Sequence, residues 1–457
     1  MASASPWISM YDDRDRNIIN KLKFCEVNIS MVDSMISVGA INHEIKKNNF
    51  KQSDSCIDLV NSIEEIIKKK LESSTNKISI QTGKSNNFLQ DKSNRLNENS
   101  GISISSEKAL DNIAYKIKIT KMNHSSDMNF DGSFVTFRKN NHVMNLGRFH
   151  NWWGSSDNTS LILSNFSRPM PTVEYKNYRP YSINILSKNI TLNYSLFLKQ
   201  FESNREVPNA LLLGNRLSLQ PYKNFEISLI RVAQFGGKGR DITSEVIKNL
   251  ILGSDNVGSE LKEEDESGNQ IAGLDFNYYS NISNYKIKIY GQIFGEDGLD
   301  PIDDGKIFGA IFPSKRFKQI GFSIGASEDL KITLENTSSD SGYANAVYNH
   351  YIYRNGYRYF NKPLGFNLDA DSDQKLLNVE IALSDSFVKV QYTKNNINKN
   401  SSNQNFWGDS SLKFEEISLR YTKYLGSFEF NIIGFKRFNT SFEGQKNQLL
   451  LNATYRY

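Results

Sequence analysis

The chain has 457 residues, enough for two or three ordinary soluble domains or for one large β-barrel with a small appendage. A net charge of +5 gives no nucleic-acid-binding signature, and a mean hydropathy of −0.51 without an apolar run of about twenty residues excludes a helical membrane protein. A membrane β-barrel is not excluded, because its strands alternate apolar and polar residues, and 28 Phe and 22 Tyr with 9 Pro favour repeated strands.

The N-terminus predicts a secreted chain. The small residues Ala2 to Ser5 resemble the sequence that follows a signal-peptide cleavage site, so we expect a mature chain with an added Met1. The two cysteines, Cys25 and Cys56, either form a disulfide in an oxidising periplasm or remain two buried thiols. Their spacing has no His companions, which argues against zinc.

Residues 1–75 are predicted to be helical. One apolar face runs from Ile18 to Cys25, and Ser30 can cap a short helix that follows it. After Ser55, apolar residues recur at three- and four-residue steps up to Leu71. We interpret this last helix as packing on sister helices rather than lying in a membrane surface, because it lacks aromatic anchors.

From Lys77 onward the apolar period changes from 3.6 to 2, which predicts strands. The clearest alternating runs are residues 78–80, 102–104, 113–119, 417–421 and 428–432. Turns rich in Asn, Asp, Ser and Gly separate them, and no helix-length apolar pattern alternates with them. The sequence therefore predicts an all-β antiparallel meander that closes on itself.

One insertion interrupts this rhythm at residues 236–270. It is polar, with a short helical core at Val246, Ile247, Leu250 and Ile251. A long insertion between barrel strands is usually an extracellular loop, and one with its own core is predicted to fold. Such a loop can also turn inward and plug a barrel.

The last twelve residues, KNQLLLNATYRY, predict the closing strand. Odd positions from Leu449 to Tyr457 are apolar or aromatic, whereas Thr454 and Arg456 belong to the polar face. A strand that ends on an aromatic residue resembles the C-terminal strand of bacterial outer-membrane barrels. An edge strand of a soluble sandwich has the same alternation, so this segment alone leaves both interpretations open.

The segment from Asp131 to Pro171 contains the tandem Trp152 and Trp153 before Gly154. Tandem Trp in a membrane barrel is most often an interfacial anchor. The alternative is that an indole face stacks on a sugar ring, whose C–H face is apolar.

No enzyme, metal or cofactor is predicted. The five histidines are scattered and form no motif with a nucleophilic Ser. Glu296 and Asp297 are adjacent, so in a strand their side chains point to opposite faces. Asp369, Asp371 and Asp373 have the spacing of a Ca²⁺ loop, but Gln374 occupies the position of the required Gly.

Several long motifs occur in order along the chain. They are WWG…SLILSN…RPMP from Trp152 to Pro171, then Asn215–Arg240, Gln270–Tyr279, Ile289–Asp297 and Tyr348–Ser372, with ASPW at Ala4–Trp7. Together they resemble the Wzi capsule-assembly family of outer-membrane lectins. The sequence departs from the family at Ser155, where proline is frequent, and at Ser167, where alanine is usual.

The resemblance implies a transmembrane antiparallel β-barrel of about 18 strands over residues 76–457, an even number as single-chain bacterial barrels require, with a folded loop near 236–270. It further implies a small periplasmic α-helical region over residues 1–75, loops that partly occlude the lumen, and a location in the bacterial outer membrane.

The resemblance also implies that the protein binds and retains capsular or exopolysaccharide at the cell surface as a monomer in outer-membrane lipid. An acidic polymer would be held by arginines that grip carboxylates and by stacking aromatics. The candidate binding residues are Trp152, Trp153, Arg168, Arg179, Gln234, Arg240, Arg354, Tyr357 and Arg358. For each arginine the alternative is an internal charge paired with Asp or Glu, and for the protein the alternative is a porin or saccharide-selective channel.

Overall fold

The computed structural model describes most of the chain. The described residues are 7–33, 35–48, 50, 56–72, 74–83, 88, 91–92, 100–110, 112–123, 125, 127–185, 187–252, 268–299, 313–327, 329–342, 346–402, 404–439 and 446–457. The small residues Ala2 to Ser5 and much of the 236–270 insertion lie outside them. No helix among the described residues is both long and apolar enough to cross a membrane.

The main sheet is a closed antiparallel barrel, as predicted. Its segments are β3 (Thr75–Gly83), β4 (Gly101–Ala109), β5 (Ile113–Met122), β6 (Met128–Asn129), β7 (Phe134–Lys139), β8 (His142–Arg148), β9 (Pro171–Asn177), β10 (Tyr181–Ile185), β11 (Lys188–Gln200), β12 (Leu211–Tyr222), β13 (Phe225–Phe235), β14 (Gln270–Ile282), β15 (Tyr285–Leu299), β16 (Pro313–Gly325), β17 (Leu330–Ser338), β20 (Asp373–Ala382), β21 (Ser386–Ile397), β22 (Leu412–Leu425), β23 (Phe428–Phe438) and β24 (Asn447–Arg456). Segments β6 and β7 both pair with β5, and segments β9 and β10 both pair with β11, so each of these two couples counts as one strand of the wall. The segments therefore make 18 strands in the described chain.

The barrel wall has the polarity of a membrane protein. Outward side chains are apolar and exposed, such as Ile320 at 58%, whereas inward ones are polar and buried, such as Asn378 at 0%. Alternation along each strand produces both faces at once. Aromatic residues such as Tyr455 and Phe428 lie on the outward face near one rim, as an interfacial girdle requires.

The closing strand β24 pairs with β23 on one side and with β3 on the other, which completes the barrel. Its outward residues include Leu449, Leu451 and Tyr455, and Thr454 is buried inside, so the predicted parity is confirmed. The guanidinium of Arg456 donates to Asp12 at 3.0 Å. The last strand is therefore tied to the cap of the first helix.

Three helices close the end of the barrel at which β24 finishes, here called the helical end. They are α1 (Asp13–Phe24), α2 (Val38–Asn48) and α3 (Ile57–Glu72). Asp12 caps α1 by accepting from two backbone N–H groups, and Cys25 and Cys56 form a disulfide between α1 and α3. The predicted first and last helices are thus confirmed, and of the two states left open for the cysteines the disulfide is the one observed.

The short helix predicted after Ser30 is wrong. Residues Met35–Ser37 form β2 instead, which pairs with β1 (Trp7–Ser9). The Ser30 hydroxyl and the Met31 N–H both donate to Glu226 on the barrel wall rather than capping a helix. Contacts made with the barrel wall therefore override the local helical pattern.

The opposite rim, here called the loop end, carries the long connections. The one at residues 149–170, here called the plug segment, folds into the lumen, and every residue from Asn151 to Asn165 is buried. The connection between β17 and β20 also folds inward and carries a small hairpin, β18 (Arg358–Tyr359) and β19 (Lys362–Pro363). Phe88 and Asp91, from the connection between β3 and β4, lie buried beside these segments.

For the 236–270 insertion the sequence left two positions open, an extracellular loop with its own core or a loop that turns inward. Its helix, α4 (Ser244–Leu252), packs Leu250 against Ala233 and Phe235. These two side chains have the outward parity of β13, since Val232 and Gln234 between them face the lumen. The predicted helical core is present, and α4 lies on the outside of the wall.

Candidate functional site

The plug segment is held by its own backbone against inward side chains. The Ser155 N–H donates to Asp275 at 3.0 Å and the Leu161 N–H donates to Gln292 Oε1 at 3.0 Å. The register of β14 and β15 places Asp275 directly opposite Gln292. A segment without regular structure needs such partners for its buried backbone groups, and the polar lumen supplies them.

Both tandem tryptophans lie within this packing. Trp152 and Trp153 are each 0% exposed. The Trp152 indole N–H donates to the Ser156 carbonyl at 3.0 Å, and the Trp153 ring packs on Phe197 at 4.8 Å between centroids. Neither is an interfacial anchor, and neither offers a ring face to a sugar. The prediction of stacking is therefore corrected: the pair forms part of the core that fills the barrel.

A buried ionic centre lies next to the tryptophans. Burial lowers the pKa of Lys92 to about 8, against the opposing effect of Asp157 at 3.5 Å. Burial alone would raise the pKa of Asp157, but the surrounding cations, above all Lys288 and Lys331, hold it well below its ordinary value. The Arg16 guanidinium of α1 donates to the Lys92 carbonyl. This centre connects the helices, the plug segment and the wall.

Three further candidates are buried. Gln234 is 0% exposed, and neither polar atom of its side chain has a hydrogen-bond partner in the described part of the chain. Tyr357 stacks on Tyr348 with 5.9 Å between centroids. Arg358 donates to Asp369 through Nε at 3.0 Å and Nη2 at 2.7 Å. For Arg358 the alternative of a paired internal charge is correct, and none of the three contacts solvent enough to bind a polymer directly.

The remaining arginines separate by position. Arg179 follows β9 at the helical end, where its N–H donates to Asn141, so it is remote from the mouth of the loop end. Arg354 is exposed and pairs with the exposed Glu206 at 3.7 Å. The Arg240 guanidinium lies 5.7 Å from the centre of the Tyr353 ring at the loop end.

Arg168 is the candidate that the structure brings to a cluster of accessible rings. Its Nε donates to Asp131 at 2.7 Å, and its guanidinium lies 5.4 Å from the ring of Phe360. The surrounding residues, here called the aromatic patch, are partly or fully exposed and come from three connections: Phe166, Arg168, Phe360, Lys362, Phe406 and Trp407. Phe406 and Trp407 meet edge to face at 4.7 Å, and Phe166 lies 6.0 Å from Phe406.

The small hairpin β18–β19 projects Phe360 into solvent. Phe360 and Asn361 are its two turn residues, and both have positive φ, 46° and 60°. Asn tolerates this backbone region, but a bulky Phe is disfavoured there. Phe360 is nevertheless 49% exposed, so burial of its ring offsets the strain only in part. Strain of this kind concentrates at functional sites.

Asp369 organises the patch from below. Besides Arg358 it accepts the Phe406 N–H at 2.7 Å, and the Trp407 indole N–H donates to the Asn367 carbonyl at 2.8 Å. The bond from Arg358 to the Gln404 carbonyl, at 2.8 Å, joins the same two connections. Arg358 therefore positions the aromatic patch rather than forming its surface.

Comparison with known proteins identifies the family. The model of the capsule assembly protein Wzi family matches residues 74–455, which is nearly the whole barrel. The chain belongs to the Wzi family.

Two relatives show how far the Wzi likeness extends. The solved Escherichia coli Wzi structure covers 100% of both chains with a TM-score of 0.81 at 18% identity. It is described as an outer membrane protein involved in group 1 capsule assembly and as a carbohydrate-binding β-barrel. An uncharacterised 55.8 kDa protein of the cps region of Klebsiella pneumoniae is 26% identical over 191 residues, which is 41% of this chain and 37% of that relative. Only about a third of the curated relative is therefore matched.

Among solved barrels of other kinds, OprD of Pseudomonas aeruginosa aligns with 85% of this Wzi-family chain and 94% of its own, at 12% identity and a TM-score of 0.48.

The aspartates with Ca²⁺-loop spacing do not converge in this Wzi-family barrel. Asp369 binds Arg358, Asp371 accepts the Asn400 N–H at 2.7 Å, and Asp373 pairs with Lys399 at 2.8 Å. No group of three metal-ligating side chains is found among the described residues.

Sequence reasoning missed most of the aromatic patch. Of its members only Arg168 was a candidate, because isolated phenylalanines resemble barrel or core residues. Two signals were present: a Phe-Trp dipeptide at the end of a polar loop, and a Phe-Asn pair between Tyr359 and Lys362 that suits a two-residue turn.

Proposed function

We propose that this protein binds capsular or exopolysaccharide at the outer surface of the bacterial outer membrane and retains it there. The observation that carries the proposal is the aromatic patch, in which accessible rings from three connections surround two cations at the mouth of a filled barrel. Membership of the Wzi family and the carbohydrate binding stated for Escherichia coli Wzi support it.

The chemistry of the patch fits an acidic polysaccharide. Sugar rings present apolar C–H faces that can lie on Phe360, Phe406 and Trp407. Arg168 and Lys362 lie beside these rings, 5.4 Å and 5.8 Å from the centres of Phe360 and Phe166, where they can meet a carboxylate. The loop end would face outward and the helices would lie in the periplasm. The buried plug segment argues against the alternative of a diffusion channel.

Polymer binding by purified variants tests the proposal. Phe360→Ala and Trp407→Ala should each weaken binding of the strain's own capsular polymer about tenfold, because each removes a stacking surface. Phe430→Ala is the matched control, since its ring is outward-facing and similarly exposed at 41% but lies on the lipid side of β23. Arg168→Gln should weaken the binding of an acidic polymer more than that of its carboxyl-reduced form.

In cells, a deletion strain should release capsule into the medium. Restoring the wild-type gene or the Phe430→Ala variant should return polymer to the surface, whereas the Phe360→Ala/Trp407→Ala variant should not. Capsule that remains attached in the deletion strain would contradict the retention role. Equal polymer binding by the wild type and the double variant, with correct barrel assembly, would contradict the assignment of the patch.

A further inference from the structure

Four exposed lysines lie close together on the outward face of the barrel near the loop end. They come from consecutive strands and are here called the outward lysine patch: Lys375 on β20, Lys394 on β21, Lys413 on β22 and Lys436 on β23. Neighbouring residues in each strand, such as Gln374 and Asn395, have the opposite parity and are buried in the lumen. The lysines therefore point away from the interior.

The strand register places these lysines in adjacent rows. Lys375 is directly opposite Lys394, which is in turn opposite Glu415. Directly opposite like charges on neighbouring strands destabilise a sheet unless a counter-charge lies between them. An anion bound between Lys375 and Lys394 would supply such a counter-charge.

The acidic groups nearby neutralise only part of this charge. Asp373 pairs with Lys399 at 2.8 Å, and Glu415 pairs with Lys394 at 3.7 Å. Lys375 and Lys436 form no ion pair among the described residues. An open groove of about 560 Å³ lies at this place, and it is lined by three of the lysines, Lys375, Lys394 and Lys413, together with Asp373 and Glu415. The groove thus has a surplus of positive charge and room for a ligand.

The outward lysine patch borders the exposed apolar side chains of the outward face, here called the apolar belt. The row below Lys375 contains Leu377, and the row below Glu415 contains Ile417, which are 39% and 43% exposed. From Phe428 at the helical end to Lys436, β23 rises about 26 Å along the strand, or about 20 Å across the membrane at a tilt near 40°. Lys436 lies in the row of Ile417, and Lys375 and Lys394 lie one row nearer the loop end. At this depth lysine stems extend from the hydrocarbon toward the headgroups.

We propose that the outward lysine patch binds the phosphate groups of a phosphorylated lipid in the outer leaflet, with the acyl chains of that lipid on the apolar belt below. Charge complementarity and direct continuity with the belt favour a lipid over a soluble polymer, which would approach from the aromatic patch above. The proposal does not depend on the proposed polymer binding.

Native mass spectrometry of the detergent-purified full chain with added lipid A tests the proposal. The triple variant Lys375→Gln/Lys394→Gln/Lys436→Gln should bind lipid A more weakly by a factor on the order of 100, at about fivefold for each lysine near an anionic surface. A matched variant, Lys46→Gln/Lys47→Gln/Lys139→Gln, removes three exposed charges at the helical end and should change binding less than about twofold.

Dephosphorylated lipid A should bind the wild type as weakly as lipid A binds the triple variant, and inorganic phosphate should not displace lipid A. Unchanged retention of lipid A by a correctly assembled triple variant would overturn the proposal. So would capsular polymer that competes with lipid A for the same three lysines, because the patch would then be a polymer site. Polymer binding through Phe360 and Trp407 is measured separately, so either proposal can fail without the other.

Discussion

Replacing Trp153 by alanine tests whether the plug segment closes the barrel. The side chain is 0% exposed and packs on Phe197, with the guanidinium of Arg216 5.6 Å from its ring. Removing such a ring should destabilise the packed position of the plug segment by about 3–5 kcal/mol. The fraction of molecules in which this segment has left the lumen should therefore rise between about 10²- and 10⁴-fold.

The rest of the segment keeps its attachments in this variant. The hydroxyls of Ser156 and Thr159 donate to Glu335, and hydrogen bonds to charged acceptors contribute about 1.5–3 kcal/mol each. The segment should therefore open briefly and return rather than leave for good.

Single-channel recording in planar bilayers measures this directly. The wild type should be nearly silent, and Trp153→Ala should give frequent short openings of an 18-strand lumen wide enough for ions. Phe360→Ala is the control, since that ring lies outside the plug segment, and this variant should stay silent although its polymer binding is weakened about tenfold. A large steady current through the wild type, or a Trp153→Ala variant as silent as the wild type, would refute the reasoning.

Two other predictions concern single contacts. Ser155→Pro should destabilise the plug segment by about 1–3 kcal/mol, because the N–H that donates to Asp275 is lost. Ser155→Ala keeps that N–H and should retain more of the stability. The temperature at which the folded barrel changes its gel mobility reports the difference. Replacing Cys25 and Cys56 by serine opens a link across 31 residues and should cost the helices about 3 kcal/mol, seen as faster proteolysis of residues 13–72 while the barrel stays intact. Equal proteolysis with and without the disulfide would contradict the second prediction.

The strands of the barrel wall could be predicted because the alternation of apolar and polar residues that marks them involves only neighbouring residues. Alternation of Leu449, Leu451 and Tyr455 with polar residues requires only that each strand has one face in lipid and one inside. The helix from Ile57 and the helical core near Leu250 were likewise predictable from short-range periodicity.

The interior and the site depended on contacts between distant residues. No local pattern shows that residues 149–170 enter the lumen while α4 lies outside, because the choice depends on partners such as Asp275 and Glu335, which the strand register brings together. For the same reason the Trp pair was interpreted as surface and proved to be core.

The sequence by itself determined which segments are strands and which are helices, since a period of two or of 3.6 is a property of neighbouring residues. The closed membrane barrel was implied only by the resemblance to the Wzi family. Only the tertiary structure decided which rings remain accessible. Phe166, Phe360 and Trp407 are far apart in the chain, and they meet because barrel closure brings three connections to one mouth, where Asp369 bonds two of them together.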